Sequence, residues 1–326
     1  MAYQNVGRPV FYIDIFSWLK SIGLAVEDSS NFGLDTSEQT IVNQRSITLG
    51  GIPMQLDYFA VLGHEMSGSP FNGKFADAPW TQEYYISNYT VTERINCAGG
   101  GGNYYTPSYN GFSIIRFTQV DIDVPNNINY FYYSAVGNTS PTIKVATFSM
   151  GKTYTMPHSP DLKLTMTREM DGVKRIRTKG GADLVNHKYT KPAMWGVAGA
   201  WEVWYNASDL TNQELSRSGR RVWDLSFSYL SDSSVFPDVS ALRTYHIEGS
   251  DENTHYTENT LLDGDDFYSQ VIHKTNGGQL PFIFQPDNND ANTQNFAICK
   301  FDMNSFKFDQ VANGVYNVKL KIREVW

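Results

Sequence analysis

The last twelve residues of the chain, VYNVKLKIREVW, alternate between apolar and polar side chains. Because successive side chains of a β-strand point to opposite faces, this pattern predicts a strand with one face in a core. The apolar face consists of Tyr316, Val318, Leu320 and Ile322, and the polar face consists of Asn317, Lys319, Lys321 and Arg323. The three cations of the polar face either form a solvated surface or contact an acidic surface of a neighbouring molecule.

Related patterns along the chain predict a mainly β protein. RRVWDLSFSYLSD alternates in the same way, and strand-like segments such as EYYISNYTVTE, FSIIRFTQVDIDV and NYFYYSAVG are separated by turn-forming residues. The chain contains 20 Tyr, 19 Phe and 7 Trp, and aromatic side chains fit the pleated surface of a sheet. Short strands with turns roughly every 8–12 residues predict a jelly roll or β-sandwich in the first part of the chain.

The length of 326 residues favours two domains, because single hydrophobic cores stop growing near ~250 residues. We place the boundary in SMGKTYTMPHSPDL, whose prolines and small polar residues are typical of a linker, which gives domains 1–148 and 149–326. The first domain is expected to begin with a strand over residues 9–16 and a short turn. The second is predicted to be antiparallel β with one helix near residues 265–275, where Asp265 is the expected N-cap and Gly277 and Gly278 end the helix.

Asp171 and Gly172 predict a β-hairpin, because they separate two alternating runs and suit a type I′ turn. In that register Glu169 faces Lys174 across the two strands. The second strand is basic, with cations at Lys174, Arg175, Arg177 and Lys179. This basic arm is either a solvated face or a docking element for an acidic neighbour, and self-association through charge complementarity is the alternative of interest.

Charge and hydropathy exclude several classes of protein. The formal net charge of −8 argues against nucleic-acid binding, which needs a basic surface for phosphate groups. No stretch approaches the ~20 apolar residues of a membrane span, and the first residues lack the basic leader and cleavage site of a secretion signal. Cys97 and Cys299 have no metal-ligand spacing, so we expect two free thiols.

No segment has the residue pattern of a known catalytic or metal site. His64 and Glu65 resemble the start of a zinc-protease motif, but Gly68 stands where the second histidine is needed. Gly99–Gly102 is not followed by the helix that a phosphate loop requires. The loop DNNDANTQN lacks the ligand spacing of an EF-hand. We therefore expect no enzyme, cofactor or metal, although the 34 carboxylates leave a polysaccharide depolymerase as an open alternative.

Two sets of segments carry a resemblance to a known group of proteins. RRVWDLSFSYLSD, DGDDFYSQVIHKTNGGQLPFIFQPD and NFAICKFDMNSFKFDQVANGVYNVKLKIREVW give an alternating strand, a helix, a Gly-Gly turn, an aromatic-Pro stretch and a last strand. This order over about residues 150–326 resembles the tail-tube-related minor and distal tail proteins of tailed bacteriophages. YFAVLGHEM resembles a segment of jelly-roll, galactose-binding-like modules in phage virion proteins, with Glu65 where Asn is usual.

The resemblance implies a structural protein of a phage tail tip or baseplate hub, with a jelly-roll-like domain and a tail-tube-like β domain. Such a protein forms a ring, expected to be a hexamer, which continues the tail tube and anchors receptor-binding components such as fibres. It is assembled in the host cytoplasm and located in the tail of the virion. A neck or head-decoration protein is a further alternative.

The predicted hairpin, Met166 to Thr178, is expected to contact the next subunit of such a ring. The candidate interface residues are Asp171, Gly172, Lys174, Arg175, Arg177, Lys319, Lys321 and Arg323. A second hypothesis is a carbohydrate-binding host-adsorption module, in which exposed tyrosines stack on the rings of a host-surface glycan. The candidate glycan contacts are Tyr104, Tyr105 and Tyr109 in GGGGNYYTPSYNG.

Overall fold

The computed structural model of the chain describes residues 6–23, 32–34, 39–41, 44–48, 54–64, 66, 71–76, 85–86, 90–99, 104–108, 111–122, 130–135, 143–145, 147–169, 173–187, 220–237, 261, 264–291 and 295–325. Over these residues the chain is mainly β and its strand pairs are antiparallel, apart from one isolated bridge, which confirms the predicted fold class.

Thirteen of the described strands lie before residue 160. They are β1 (Val10–Asp14), β2 (Gln39–Ile41), β3 (Gln44–Thr48), β4 (Met54–His64), β5 (Phe71–Ala76), β6 (Tyr85–Ile86), β7 (Val91–Ile95), β8 (Cys97–Gly99), β9 (Tyr104–Pro107), β10 (Gly111–Ile122), β11 (Tyr130–Ala135), β12 (Ile143–Val145) and β13 (Thr147–Thr155).

Eight described strands and most of the helical structure follow. The strands are β14 (Thr165–Glu169), β15 (Val173–Arg177), β16 (Asp183–His187), β17 (Arg220–Ser231), β18 (Phe282–Gln285), β19 (Ala297–Phe301), β20 (Phe308–Ala312) and β21 (Val315–Glu324). The helices are α1 (Ile15–Ser21), α2 (Asp232–Val235) and a helical segment made of a π-helical turn (Tyr268–Ile272) and a 3₁₀ turn (His273–Thr275).

One sheet of eleven strands connects both halves of the chain. Its order is β14-β17-β21-β19-β18-β1-β13-β4-β10-β7, with β20 paired to β21. A second sheet of six strands has the order β3-β11-β5-β9-β8, with β6 on β5, and two pairs, β2–β12 and β15–β16, are separate from both sheets. Because β1 pairs with both β13 and β18, the large sheet has no break between the two halves.

The two sheets pack face to face in the first half and form a β-sandwich. The buried cluster between them takes side chains from β4, β10 and β13 on one side and from β5, β9 and β11 on the other. Phe59 and Phe131, from opposite sheets, have ring centroids 5.4 Å apart. Aromatic pairs of this kind contribute large buried apolar areas, which explains the high aromatic content of the chain.

The helical segment covers one face of the large sheet in the second half, as predicted. Phe267 and Val271 are both buried and belong to the same cluster as core residues of β17, β18 and β21. The N-cap is Asp266 rather than the predicted Asp265, because Asp266 Oδ1 accepts a hydrogen bond from Ser269 N at 2.8 Å. The segment ends in positive-φ residues that include the predicted Gly277, with φ of 68°.

The expected first strand is confirmed over Val10–Asp14, but the turn predicted after it is part of helix α1. The strand ends at Asp14 because its carboxylate caps the helix and accepts a hydrogen bond from Ser17 N at 2.8 Å. Ser149 Oγ donates a second hydrogen bond to Asp14 at 2.8 Å. Burial raises the pKa of Asp14, and the sequence pattern contained no signal for this buried carboxylate.

The predicted linker is wrong over residues 149–155, because these residues lie in β13, between β1 and β4 in the large sheet. The prolines that suggested a linker, Pro157 and Pro160, follow the end of β13 at Thr155, whereas Gly151 lies within the strand. A Cβ at this position would lie 1.9 Å from the carbonyl oxygen of Ile13, so the backbone approaches closely enough to require glycine. The division into domains 1–148 and 149–326 stays a prediction, although β13 crosses its boundary.

The predicted last strand is confirmed as β21, with Tyr316, Val318, Leu320 and Ile322 buried. A buried ion pair anchors its end. The guanidinium of Arg221 on β17 donates to both carboxylate oxygens of Glu324, at 3.0 Å from Nε and 2.9 Å from Nη2. The backbone N–H of Arg221 donates to the same carboxylate at 2.9 Å, so Glu324 ties β21 to β17 through three hydrogen bonds.

Candidate assembly surface

Strands β15 and β16 form a two-stranded hairpin separate from both large sheets. Their register pairs Ile176 with Leu184 and Arg175 with Val185. The turn between them is closed by the N–H of Thr178, which donates to the carbonyl of Ala182 at 2.8 Å. Gly181 has φ of 84°, a conformation that favours glycine, so the Gly180-Gly181 pair supplies the turn.

This hairpin replaces the one predicted at Asp171 and Gly172. Strand β14 pairs with β17, where Glu169 faces Arg220, so Glu169 does not face Lys174. The prediction was wrong because β15 pairs with β16, which follows it after the Gly180-Gly181 turn, while β14 pairs with β17 in the large sheet. Asp171 and Gly172 themselves lie outside the described residues.

The cations of the hairpin are exposed and gather around one carboxylate. Arg175 and Asp183 form an ion pair across the strands, and Arg177 Nε lies 3.4 Å from Asp183 Oδ1. Lys174 is exposed as well. Because ion pairs of exposed side chains contribute little to stability, these charges are better suited to contact with another molecule than to holding the hairpin together.

Three apolar side chains of the hairpin are also exposed: Ile176, Leu184 and Val185, the last at 44%. Ile176 and Leu184 are each 59% exposed, although they face each other across the strands. An isolated two-stranded hairpin is marginally stable in water and needs a further strand or a packed surface on its apolar face. The hairpin of β15 and β16, hereafter the arm, therefore has both the apolar side chains and the cations of a docking element.

The predicted cationic face of β21 is largely occupied by ion pairs within the chain. Lys321 Nζ lies 2.7 Å from Asp302 Oδ2, and Arg323 Nε lies 2.8 Å from Glu169 Oε2 on β14. The hydrogen bond with Asp302 raises the pKa of Lys321. Lys319 is exposed. The structure thus joins Arg323 to the strand that precedes the arm, and leaves Lys319 as the most accessible cation of the three.

Of the three tyrosines proposed as glycan contacts, the structure describes the side chain of Tyr105. Tyr105 is 1% exposed and packs in the sandwich core, with its ring centroid 5.5 Å from that of Phe71. Tyr105 lies on the side of β9 that faces the core, so its ring cannot stack on a sugar from solution. Tyr104 lies on β9, but its side chain and the whole of Tyr109 are outside the described residues.

A polar cluster that the sequence did not indicate crosses four strands of the large sheet. The register between β4 and β10 shifts after Arg116, which is typical of a β-bulge. Asp57 accepts hydrogen bonds from Thr153 N at 2.7 Å and from Thr153 Oγ1 at 2.6 Å, and Arg116 Nη1 pairs with Glu93 at 3.0 Å. Burial raises the pKa of Asp57. These contacts link the strands to one another, and no sequence motif joins the residues that make them.

His64 is buried and has a structural role. Its Nδ1 accepts a hydrogen bond from Met66 N at 3.4 Å, so Nε2 carries the proton and donates to Ser113 Oγ at 2.9 Å. Burial lowers the pKa of His64 to about 3, which keeps the ring neutral at physiological pH. Glu65, its partner in the apparent zinc motif, lies outside the described residues.

The acidic loop considered as a calcium site accepts hydrogen bonds from the backbone of residues 7 and 8. Asp287 Oδ1 accepts a hydrogen bond from Gly7 N at 2.8 Å, and Asn288 Oδ1 accepts one from Arg8 N at 2.8 Å. Among the described residues, no group of three or more His, Cys, Asp or Glu side chains is arranged to hold a metal ion. Residues 292–294 of the loop are outside that set.

Comparison of the chain with known proteins identifies no related protein. No protein-family model matches the chain, and neither a curated protein nor a solved structure is similar to it. In the part of the chain that the structure describes, no helix has the length and apolar character needed to cross a membrane.

Proposed function

We propose that this chain is a structural protein of a bacteriophage tail tip or baseplate hub, whose copies join into a ring that continues the tail tube and anchors receptor-binding components. The observation that supports assembly most directly is the arm, an isolated hairpin with an exposed apolar pair, Ile176 and Leu184. The phage context rests on the order of sequence elements in the second half of the chain.

Charge favours another copy of the chain as the neighbour of the arm. Residues 173–187 contain four cations and one carboxylate, which gives a net charge of +3 with His187 neutral. Since the whole chain has a formal charge of −8, the remaining residues carry −11. A basic arm and an acidic body attract one another between copies, which raises the rate of encounter and disfavours arm-to-arm contacts.

The carbohydrate-binding alternative has less support. Its three tyrosines were expected to share an exposed loop, but Tyr105 lies in the core of the sandwich. Many of the described aromatic side chains pack in the buried clusters, so an aromatic-rich composition does not by itself favour sugar binding.

The oligomeric state of the purified protein tests the assembly proposal. We expect discrete oligomers by mass photometry and ring-shaped particles by negative-stain electron microscopy. Replacing both Ile176 and Leu184 with Ser should shift the population toward monomer without lowering the melting temperature of the body, because the arm lies outside both large sheets. Val311→Ser is the matched control, since Val311 is also exposed but lies on β20. A wild-type protein that stays monomeric at all concentrations would contradict the proposal.

The phage assignment needs a separate experiment. Antibodies raised against the purified protein should label the tail tip of particles from a phage that encodes it, as seen by immuno-electron microscopy. Label at the neck or on the head would favour the neck or decoration alternative, and the absence of label from disrupted particles would remove the protein from the virion.

A further inference from the structure

The strand at one end of the large sheet exposes apolar side chains on the face that forms the core. Strand β14 pairs with β17, and the register places Met166 beside Trp223. Side chains opposite each other in a strand pair lie on the same face, so Met166 lies on the face of the buried Trp223. Leu164 is two residues before Met166, so alternation places it on the same face of the sheet. Yet Met166 is 53% exposed and Leu164 is 37% exposed.

The exposed apolar row extends beyond the strand itself. Residues 161–164 continue along β17, because Asp161 N donates to Ser226 O and Ser228 Oγ donates to Asp161 Oδ2, both at 2.8 Å. Leu162 in this segment is 71% exposed. The segment 161–169, hereafter the edge, has β17 as its one neighbour among the described strands. A sheet edge with an apolar row is a template for the addition of another strand.

The arm has the complementary pattern. Ile176 on β15 and Leu184 on β16 form an apolar row across the two strands, and β15 has β16 as its one neighbour among the described strands. A hairpin added to the edge through β15 would continue the row from Trp223 through Met166 to Ile176 and Leu184. Among the described strands, the edge has an apolar row with no strand beyond it and the arm belongs to neither large sheet, so each supplies what the other needs.

We propose that β15 of one copy adds to the edge of a second copy and extends the large sheet across the interface. This inference rests on the proposed self-assembly and specifies its contact. The occupant is a second copy because the chain itself supplies the matching strand, the arm, whose exposed apolar pair complements the apolar row of the edge. Within the described chain β14 and β15 are consecutive yet pair with different strands. The edge carries two carboxylates and two cations, so the match is apolar, and the charge of the arm acts on encounter with the acidic remainder of the chain.

The contact is compatible with a ring. The edge and the arm are different surfaces, so each copy can give its arm to one neighbour and receive an arm from another. Such a head-to-tail interface closes into a ring when the rotation between copies allows it, and otherwise continues as a filament. Two copies can also exchange arms reciprocally about a two-fold axis, and the mass of the oligomer distinguishes that dimer from a ring.

Cross-linking between two different single variants tests the pairing. Met166→Cys protein and Ile176→Cys protein, each in a Cys97→Ser background, are mixed and treated with a short bis-maleimide; Cys299 is fully buried and does not interfere. We expect a cross-linked peptide that joins position 166 of one variant to position 176 of the other. Replacing Ile176→Cys with Val311→Cys in the mixture is the control and should give no such product.

The possible outcomes separate this inference from the assembly proposal. Oligomers without the 166–176 cross-link would overturn the edge-to-arm contact and leave assembly intact, whereas a monomer would overturn both. A cross-link formed within one chain, in monomeric protein carrying both cysteines, would also overturn the contact between copies. Leu164→Lys, which places a charge on the edge, should weaken association by about tenfold or more while the melting temperature stays unchanged.

Discussion

The ion pair between Arg221 and Glu324 gives the sharpest test of how the last strand is held. Both side chains are nearly buried, at 13% and 5% exposed, and Glu324 accepts three hydrogen bonds from Arg221. Glu324→Ala removes the carboxylate and leaves a guanidinium and a backbone N–H without their acceptor. The lost hydrogen bonds are contacts between β21 and β17, which pair along most of their length.

The expected cost follows from the burial of the pair. Breaking a buried ion pair by removing one partner costs about 3–5 kcal/mol, because the remaining charge is left uncompensated. Arg221 keeps a hydrogen bond to Phe296 O at 2.9 Å and lies 5.2 Å from the centroid of the Trp223 ring. These contacts retain part of its stabilisation, so we expect the lower end of the range, about 3 kcal/mol. Glu324→Gln keeps the shape without the charge and should cost less.

The control is an ion pair on the same strand in a different environment. Lys321 and Asp302 lie 2.7 Å apart, but both side chains are 43% exposed. Lys321→Ala should cost about 0–1 kcal/mol, because exposed pairs are solvated in both states. Urea denaturation followed by tryptophan fluorescence measures the free energies of unfolding, provided that the m-values agree. A Glu324→Ala variant as stable as Lys321→Ala would refute the argument from burial.

Three further predictions concern the core. Gly151→Ala should lower the free energy of unfolding by about 3 kcal/mol or more, because its Cβ would lie 1.9 Å from the carbonyl oxygen of Ile13. Gly180→Ala is the control in the same thermal denaturation series. It should be nearly neutral, because a Cβ at position 180 meets no atom within 4 Å. Tyr105→Ala should cost about 3–5 kcal/mol as a core truncation, measured by urea denaturation, and a neutral effect would contradict its burial. His64 has a folded-state pKa of about 3 against an ordinary value of 6.5, so the unfolded chain binds the proton first as the pH falls. The contribution of neutral His64 to the free energy of unfolding is therefore complete above pH 6.5 and is lost progressively toward pH 3. About 2 kcal/mol is lost at pH 5. Urea denaturation of wild type and His64→Gln at pH 7 and pH 5 should show a smaller pH effect in the variant; equal effects would count against a neutral buried ring.

Local patterns predicted the class of fold and several individual elements. The alternation of β21 identified its buried face, because a side-chain period of two is a property of neighbouring residues. The helical segment and its glycine-rich end were predicted for the same reason, although the cap moved by one residue to Asp266. The cations of residues 174–179 were read directly from the sequence, whereas the strand that pairs with this segment was predicted wrongly.

The sequence pattern did not predict which distant strands pair with one another. Asp171 and Gly172 suit a tight turn, but β14 pairs with β17 and β15 pairs with β16, so neither strand of the predicted hairpin has its expected partner. The prolines and small polar residues of SMGKTYTMPHSPDL suggested a linker, but the prolines follow β13, and the residues before them pair with β1 and β4, which are distant in sequence.

The sequence by itself determined the mainly β class, the inward face of the last strand and the sign of charge on the arm, since each depends on residues close together in the chain. Only the tertiary structure decided that Tyr105 is buried, that Glu324 pairs with Arg221 and that Leu164 and Met166 stay exposed at the end of the large sheet. Those properties depend on which surfaces meet, and the free energy of burying a surface depends on residues far away along the chain.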